Sequence, residues 1–514
     1  MTTQRTAHVL ILCSLTLPLI ASQASRAQLS ALGNQVFTQA DLPGVSAEAG
    51  DYFGASLSAG DFNGDGFDDL AVGSPFEAVG TTLLEGIVHV FYGGPTGFQA
   101  TQTQLFTTAD LSFPVPVDWT EALVGYSLES LRIDGDAYDD LVIGVPGAET
   151  YAGVVFAVSG SSSGLDASSM TLATQESFGG TPAQGNAFGW SLASCDVDGD
   201  DRDDLLVGAP GTSSSEVLEE GAVGVLPLGE GSPSPREIKP SDLDLAQPFG
   251  SFGGSIACAD FDGDGKDDVA AGTGAGDPAE SGIIVVRGSS TVALTLVGSQ
   301  VITANSLLGQ NPTFQALGSA LAAAKVDEDA YADLLIADSL SQDGGAIQIV
   351  PGSSSGLVVA SPQELGQDQT TVESDETDDF CGAAILTADF DLDGHPEVVL
   401  GGPGEDLPSP SRGDNIDEGA ILVFPGTGSG PTGSGATLWT QSVLGRNAEA
   451  LDYFGAVLES GDFNGDGAPD LAVGIPRENV STLQDAGALL IIYSQTPPLF
   501  ADGFESGDLG AWTP

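Results

Sequence analysis

Apolar positions along this chain fall in short runs rather than at helical spacing. The runs are rich in β-branched and aromatic residues and are closed by Gly, Ser, Asp or Pro. That is the pattern of brief strands joined by tight turns. The stretch from Tyr52 to Phe106 shows it in full. Phe53-Gly54-Ala55-Ser56-Leu57-Ser58-Ala59-Gly60 leads into an acidic loop, and Leu70-Ala71-Val72-Gly73-Ser74-Pro75 follows. Gly86 then opens Ile87-Val88-His89-Val90-Phe91, and a Gly/Pro turn leads to Gln104-Leu105-Phe106. The spacing predicts four antiparallel strands in this unit.

The unit recurs. Its anchor glycines are Gly54, Gly125, Gly189, Gly253, Gly318, Gly382 and Gly455, spaced by 64 to 73 residues. An Asp, Arg or Lys stands seven residues after each of them and opens a loop rich in carboxylates. Seven four-stranded units predict an all-β fold, a seven-bladed β-propeller of four-stranded antiparallel blades. Closing the ring removes exposed sheet edges. The seventh unit ends at Leu489-Leu490-Ile491-Ile492-Tyr493 with no fourth strand after it. Gln35-Val36-Phe37-Thr38-Gln39-Ala40-Asp41-Leu42 resembles the outer strand of the first unit, Gln104 to Leu111. An N-terminal strand is therefore predicted to complete the last blade. The domain reading is residues 28–496 for the propeller, 1–27 for a signal peptide and 497–514 for a C-terminal tail.

Five of the loops place oxygen-bearing side chains at positions 1, 3, 5 and 9. They are Asp61, Asn63, Asp65 and Asp69; Asp196, Asp198, Asp200 and Asp204; Asp260, Asp262, Asp264 and Asp268; Asp389, Asp391, Asp393 and Glu397; and Asp462, Asn464, Asp466 and Asp470. Calcium takes six to eight hard oxygen ligands in a flexible shell. Alternate residues of a tight loop supply them, and the backbone carbonyl of position 7 adds another. Those residues are Phe67, Arg202, Lys266, His395 and Ala468. About five calcium ions are expected. An EF-hand is excluded, because its twelfth-position Glu is replaced by Val72 or Ala271 and the flanks read as strands. In the second and fifth loops position 1 is Arg132 or Lys325, while Asp134, Asp136, Asp140, Asp327, Asp329 and Asp333 persist. The expectation is that these cations stand where calcium would sit.

Charge narrows the partners. The chain has 73 acidic and 12 basic residues, a formal charge of −61. Binding to nucleic acid or anionic lipid needs a basic face, so neither is expected. The seven loops account for 30 of the 73 acids. Arg5, the apolar run Val9 to Ala21 and Ser25-Arg26-Ala27 read as a cleaved secretory signal. A secreted or cell-surface location follows, and no later segment reads as a membrane span. Outside the signal, Cys195, Cys258 and Cys381 read as small buried core residues rather than as disulfide partners.

Catalytic candidates are few. His89 falls on a strand and His395 on a loop, so a Ser-His-Asp triad is not expected. A pair of carboxylates acting on a polysaccharide stays open. Arg412-Gly413-Asp414 reads as chance in a Gly/Asp-rich loop, and Asn479-Val480-Ser481 as a glycosylation sequon. The blade 1–2 connection carries Pro114, Pro116 and Trp119.

The repeats resemble the FG-GAP family, found in the N-terminal propeller of integrin alpha subunits and in secreted bacterial proteins. Phe53-Gly54, Phe188-Gly189, Phe252-Gly253 and Phe454-Gly455 match its first half. Gly73-Ser74-Pro75, Gly144-Val145-Pro146, Gly208-Ala209-Pro210, Gly402-Pro403 and Gly474-Ile475-Pro476 match its second. The resemblance implies calcium-stabilised folding and a role in adhesion or binding of an extracellular protein or glycan. The alternative is an extracellular polysaccharide lyase or hydrolase, or its binding subunit.

Overall fold

The computed structural model describes residues 28–495, apart from 80–83, 111–117, 215–216, 230, 244–249, 274–281, 309–316, 340–343, 371–378, 407–416 and 447–448. The signal, Pro114, Pro116, the Arg412-Gly413-Asp414 tripeptide and the C-terminal tail therefore lie outside the described residues. Among the described residues no helix is long and apolar enough to cross a membrane.

Seven four-stranded antiparallel sheets form the blades. Blade 1 runs Ser56–Gly60, Asp69–Ser74, Ile87–Phe91 and Thr103–Phe106, each strand paired with the next. Blades 2 to 6 repeat that order. The first strands of neighbouring blades touch all the way round, blade 7 to blade 1 included, so these strands surround the axis. Blade 7 holds Val457–Gly461, Asp470–Ile475 and Ala488–Ile492 from the end of the chain, and Gln35–Thr38 is its outer strand. Closure by an N-terminal strand is thus present. Gln28 and Leu29 add a two-residue pairing to Gln495 and Ser494.

The second strand of every blade is fully buried. The cores lie between blades. One of them unites Phe62, Val88 and Phe106 of blade 1 with Leu141 and Phe156 of blade 2, and Trp119 packs against it. Two glycines set the blade spacing. Gly54 has φ +88°, and a Cβ there would lie 2.7 Å from the Ala488 carbonyl oxygen of blade 7. Gly474 of blade 7 would in turn drive a Cβ into the Gly54 carbonyl oxygen. Only glycine tolerates both the positive φ and the close backbone approach. Within the ring, Ser56 Oγ donates to the Gly125 carbonyl at 2.6 Å, and Ser127, Ser191 and Ser255 repeat that bond to the next blade.

The cysteine expectation is corrected. Cys195 and Cys258 form a disulfide between the first strands of blades 3 and 4, with Cα atoms 6.3 Å apart. A sequence separation of 63 residues hides a proximity that the ring creates. Cys381 is buried in the core between blades 5 and 6, as expected.

Candidate metal-binding loops and the opposite face

Each acidic loop joins the first strand of a blade to its second, and position 9 is the first residue of that buried second strand. In blade 1, Asp61 Oδ1 accepts from the Gly64 and Asp65 amides at 2.7 and 3.1 Å, and Oδ2 from Gly66 at 3.0 Å. Asn63 Oδ1 accepts from Asp65 N at 2.8 Å. Asp69 takes the Phe62 and Gly93 amides. The loop backbone is thus wound around its own carboxylates. Asp196, Asp260, Asp389 and Asp462 are held by the same amide pattern. The amides of Phe67, Arg202, Lys266, His395 and Ala468 each donate to the position-5 carboxylate, on Asp65, Asp200, Asp264, Asp393 and Asp466.

The donor set fits a hard cation. Asp196, Asp198 and Asp204 each bring an oxygen within 4.8 Å of the others, as do Asp260, Asp262 and Asp264, and Asp389, Asp391 and Glu397. Asp198 Oδ1 is buried and meets no hydrogen-bond donor. Burial first, then the neighbouring loop acids, pushes Asp69 and Asp470 up to about 8, and Asp204, Asp268 and Glu397 up to about 7. Burial and like charge on this scale call for a counter-charge, and a divalent cation supplies one.

Arg132 does not stand in that place. Its Nε pairs with Asp139 Oδ1 at 2.8 Å and its side chain is 59% exposed. Lys325 is exposed as well. The cation that covers loop 2 comes from the next blade: Arg202 lies against Gly135 and donates to the Ile133 carbonyl at 3.0 Å. Loop 4 carries its own cations, since Arg287 pairs with Asp262 and Lys266 Nζ with Asp264 at 3.0 Å.

Arg202 illustrates a relation that the repeat spacing did not disclose. The position-7 side chain of one loop covers position 4 of the loop before it. Phe67 lies over Gly465, Tyr138 over Gly64, Lys266 over Gly199 and Tyr331 over Gly263. His395 approaches Glu328 at 3.7 Å. The signal in the chain is size and charge: a bulky position 7 follows a glycine at position 4 in five loops, His395 follows Glu328, and Ala468 follows Leu392.

A family model for the FG-GAP repeat matches residues 53–91, 188–226, 252–286 and 454–492, which fall on blades 1, 3, 4 and 7. The β-propeller therefore carries FG-GAP repeats in four of its blades. Integrin alpha-5 of Xenopus laevis is 29% identical over 223 residues, 42% of this chain and 20% of that protein. Integrin alpha-PS5 of Drosophila melanogaster is 34% identical over 170 residues, 32% of this chain and 16% of that protein. Phosphatidylinositol-glycan-specific phospholipase D of Rattus norvegicus is 34% identical over 174 residues, 31% of this chain and 19% of that protein. The chain spans 20% or less of the length of each.

The end of the propeller opposite the loops is rich in aromatics. Tyr126 and Trp190, just before the first strands of blades 2 and 3, have ring centroids 4.5 Å apart. Trp190 is 36% and Tyr151 38% exposed. Tyr52 meets Phe76 at 5.0 Å, and the Arg477 guanidinium lies 4.3 Å from the Tyr453 ring. His89 is not part of this surface. It is buried on a third strand against Phe53, both ring nitrogens lack partners, and burial lowers its pKa to about 4.

Proposed function

We propose that this protein is an extracellular binding module, stabilised by calcium in the loops of blades 1, 3, 4, 6 and 7, whose ligand surface is the opposite face. The observation that carries the reading is the exposed aromatic ground around the Tyr126–Trp190 pair. Flat amphipathic rings on a rigid scaffold provide contact area at low entropic cost, and loops at blade ends vary without disturbing the ring. The formal charge of −61 opposes polyanionic ligands. A neutral or cationic glycan, or a basic stretch of an extracellular protein, fits the surface. The repeats shared with integrin alpha chains support adhesion as the setting.

Calcium belongs to the scaffold in this reading. Each ion would tie a loop wound around positions 1, 3, 5 and 9, with the position-7 carbonyl as a further ligand. Loop 4 is expected to bind most weakly, because Arg287 already neutralises Asp262.

The test is binding of the calcium-loaded chain to immobilised glycans and extracellular-matrix proteins, alongside a Tyr126→Ala/Trp190→Ala variant. Capture that the variant loses by tenfold or more supports the surface. Equal capture by both proteins places the ligand elsewhere. Release of soluble product from a polysaccharide would favour the lyase or hydrolase alternative instead.

A further inference from the structure

A second set of carboxylates recurs at the end of the propeller away from the loops. In blade 1, Asp51 stands three residues before the anchor Gly54, and Glu77 four residues after Gly73. Gln39 opens the 3-10 turn directly after the strand that closes the ring. All three are at most 2% exposed. Gln39 Nε2 donates to Glu77 Oε2 at 2.6 Å, and Asp51 Oδ2 accepts from the Glu48 amide. Blade 7 repeats the set. Gln441 Nε2 donates to Glu478 Oε2 at 2.9 Å, and Asp452 Oδ2 accepts from the Glu449 amide at 2.7 Å. In each trio the Asp and Glu carboxyls lie within hydrogen-bonding reach of each other.

Acceptors in these trios outnumber donors. Gln39 Oε1, Gln441 Oε1 and Asp452 Oδ1 are buried and receive no hydrogen bond. Gln39, Gln441 and Asp452 are each 1% exposed or less. The other charged group facing the blade 1 trio is Glu48, and the blade 7 trio is faced by Glu449 and Arg446. Two desolvated carboxylates at this separation cannot both stay charged without a counter-ion or a proton.

Other blades show that the fold does not require acids here. Blade 2 has Ala122 and Ala148 at the Asp and Glu positions, both fully buried. Blade 3 has Asn186 and Thr212 with Gln175, a neutral trio linked by its own hydrogen bonds, from which Gln175 Nε2 also donates to Glu237 Oε2 at 2.5 Å and Asn186 Nδ2 to the Thr181 carbonyl at 3.1 Å. Asn186 Nδ2 donates to Gln175 Oε1 at 2.6 Å, and Gln175 Nε2 to Thr212 Oγ1 at 3.0 Å. In blades 1 and 7 an Asp oxygen replaces the Asn donor. Gln39 Oε1 in blade 1, and Gln441 Oε1 with Asp452 Oδ1 in blade 7, then lack the donor that blade 3 supplies internally. One proton bridges two oxygens; a cation bonds to the Asp, Glu and Gln oxygens together.

We infer that Asp51, Glu77 and Gln39, and likewise Asp452, Glu478 and Gln441, are ligands of a second class of calcium site, on the face opposite the acidic loops. Hard, anionic oxygen donors with an amide oxygen suit calcium. The blade 7 trio borders a cavity of about 350 Å³ lined by Gln441, Glu478, Glu449 and Arg446, which gives an ion and its waters a route in. The blade 1 site would also bind the closing strand, through Gln39, to the body of the ring.

Counting ions tests this. Calcium-stripped protein is loaded with calcium alone and analysed by native mass spectrometry. Asp51→Asn/Glu77→Thr and Asp452→Asn/Glu478→Thr install the trio that blade 3 already accommodates. Each is expected to bind one calcium fewer than the parent chain, and the combined variant two fewer. Because the readout is a difference, it does not depend on how many loop sites fill. An unchanged count overturns the inference. So does an unchanged count with parent-specific stabilisation on acidification, the signature of a shared proton. If a replaced blade fails to fold, Asn186→Asp/Thr212→Glu takes over: one added calcium supports the inference and none overturns it.

Discussion

Asp462 donates its amide to Asp68 Oδ2 at 2.8 Å, while the Asp68 amide donates to the Asp462 carbonyl at 3.1 Å. These residues are 394 positions apart in the chain and adjacent in space. The same exchange links Asp61 with Asp139 and Asp196 with Asp267, from position 1 of one loop to position 8 of the next. Between blades 7 and 1 it spans the joint where the last strands of the chain meet the first blade. It also holds position 1 of an acidic loop, so closure and the proposed metal site share a residue.

Asp68→Ala should therefore destabilise the protein by about 1–3 kcal/mol, the cost of leaving a part-buried amide without its acceptor. Asp68→Asn keeps an acceptor and removes a carboxylate whose pKa burial has already raised, so it should melt close to the parent. Thermal unfolding at neutral pH with calcium present separates the two. Equal melting temperatures for all three proteins would deny the pair a part in closure.

Chelation should lower the melting temperature strongly. Extracellular calcium modules bind at about 10⁻⁴–10⁻³ M, and a site held at a hundredfold excess over its dissociation constant stabilises the native state by about 2.7 kcal/mol. Arg287→Gln should raise calcium affinity in blade 4 several-fold, since the guanidinium competes for Asp262. Calorimetric titration of stripped protein reads both effects. Identical melting curves with and without EDTA would remove calcium from the account.

Much of this architecture was legible because a propeller repeats its local chemistry. Gly54, Ser56, Asp61 and Gly73 recur at constant offsets, and each offset corresponds to one contact within a blade or with the next. The closing strand was legible for the same reason, as Gln35 to Leu42 copies Gln104 to Leu111. Contacts between blades that fall outside those constant offsets were not. The Cys195–Cys258 disulfide, Arg202 over Gly135 and Asp68 with Asp462 all join residues about one repeat or more apart. Arg132 was assigned to its own loop for that reason, when its partner is Asp139 at position 8. The Asp–Glu–Gln trios went unseen because their members come from three separate connections.

The disulfide should matter to stability and not to architecture. It clamps blades 3 and 4 at their first strands, next to one acidic loop of each blade. Cys195→Ser/Cys258→Ser should cost about 2–4 kcal/mol through the freer unfolded chain. The variant should still bind calcium, since neither cysteine is a ligand. Urea unfolding of the parent, with and without reductant, should reproduce the difference. A midpoint that reductant leaves in place would mean the bond adds nothing beyond the packing already there.

Two glutamates on the first strands, outside the acidic loops, give the protein a further pH dependence. Glu129 of blade 2 accepts from Ser194 Oγ at 2.7 Å, and Glu459 of blade 7 from the Ser460 amide at 2.9 Å. Burial raises Glu129 to about 7 and Glu459 to about 8. The unfolded value is about 4.3. A raised folded pKa means that the native state holds its proton more tightly. The contribution to stability is then fully present below about pH 4 and is lost as pH rises towards 7–8. Gln at both positions mimics the protonated form and keeps both hydrogen-bond acceptors. At saturating calcium, Glu129→Gln/Glu459→Gln should match the parent in urea at pH 4.5 and exceed it by roughly 1–3 kcal/mol at pH 8. A parent that is as stable as the variant at pH 8 would mean that both carboxylates are charged and compensated there.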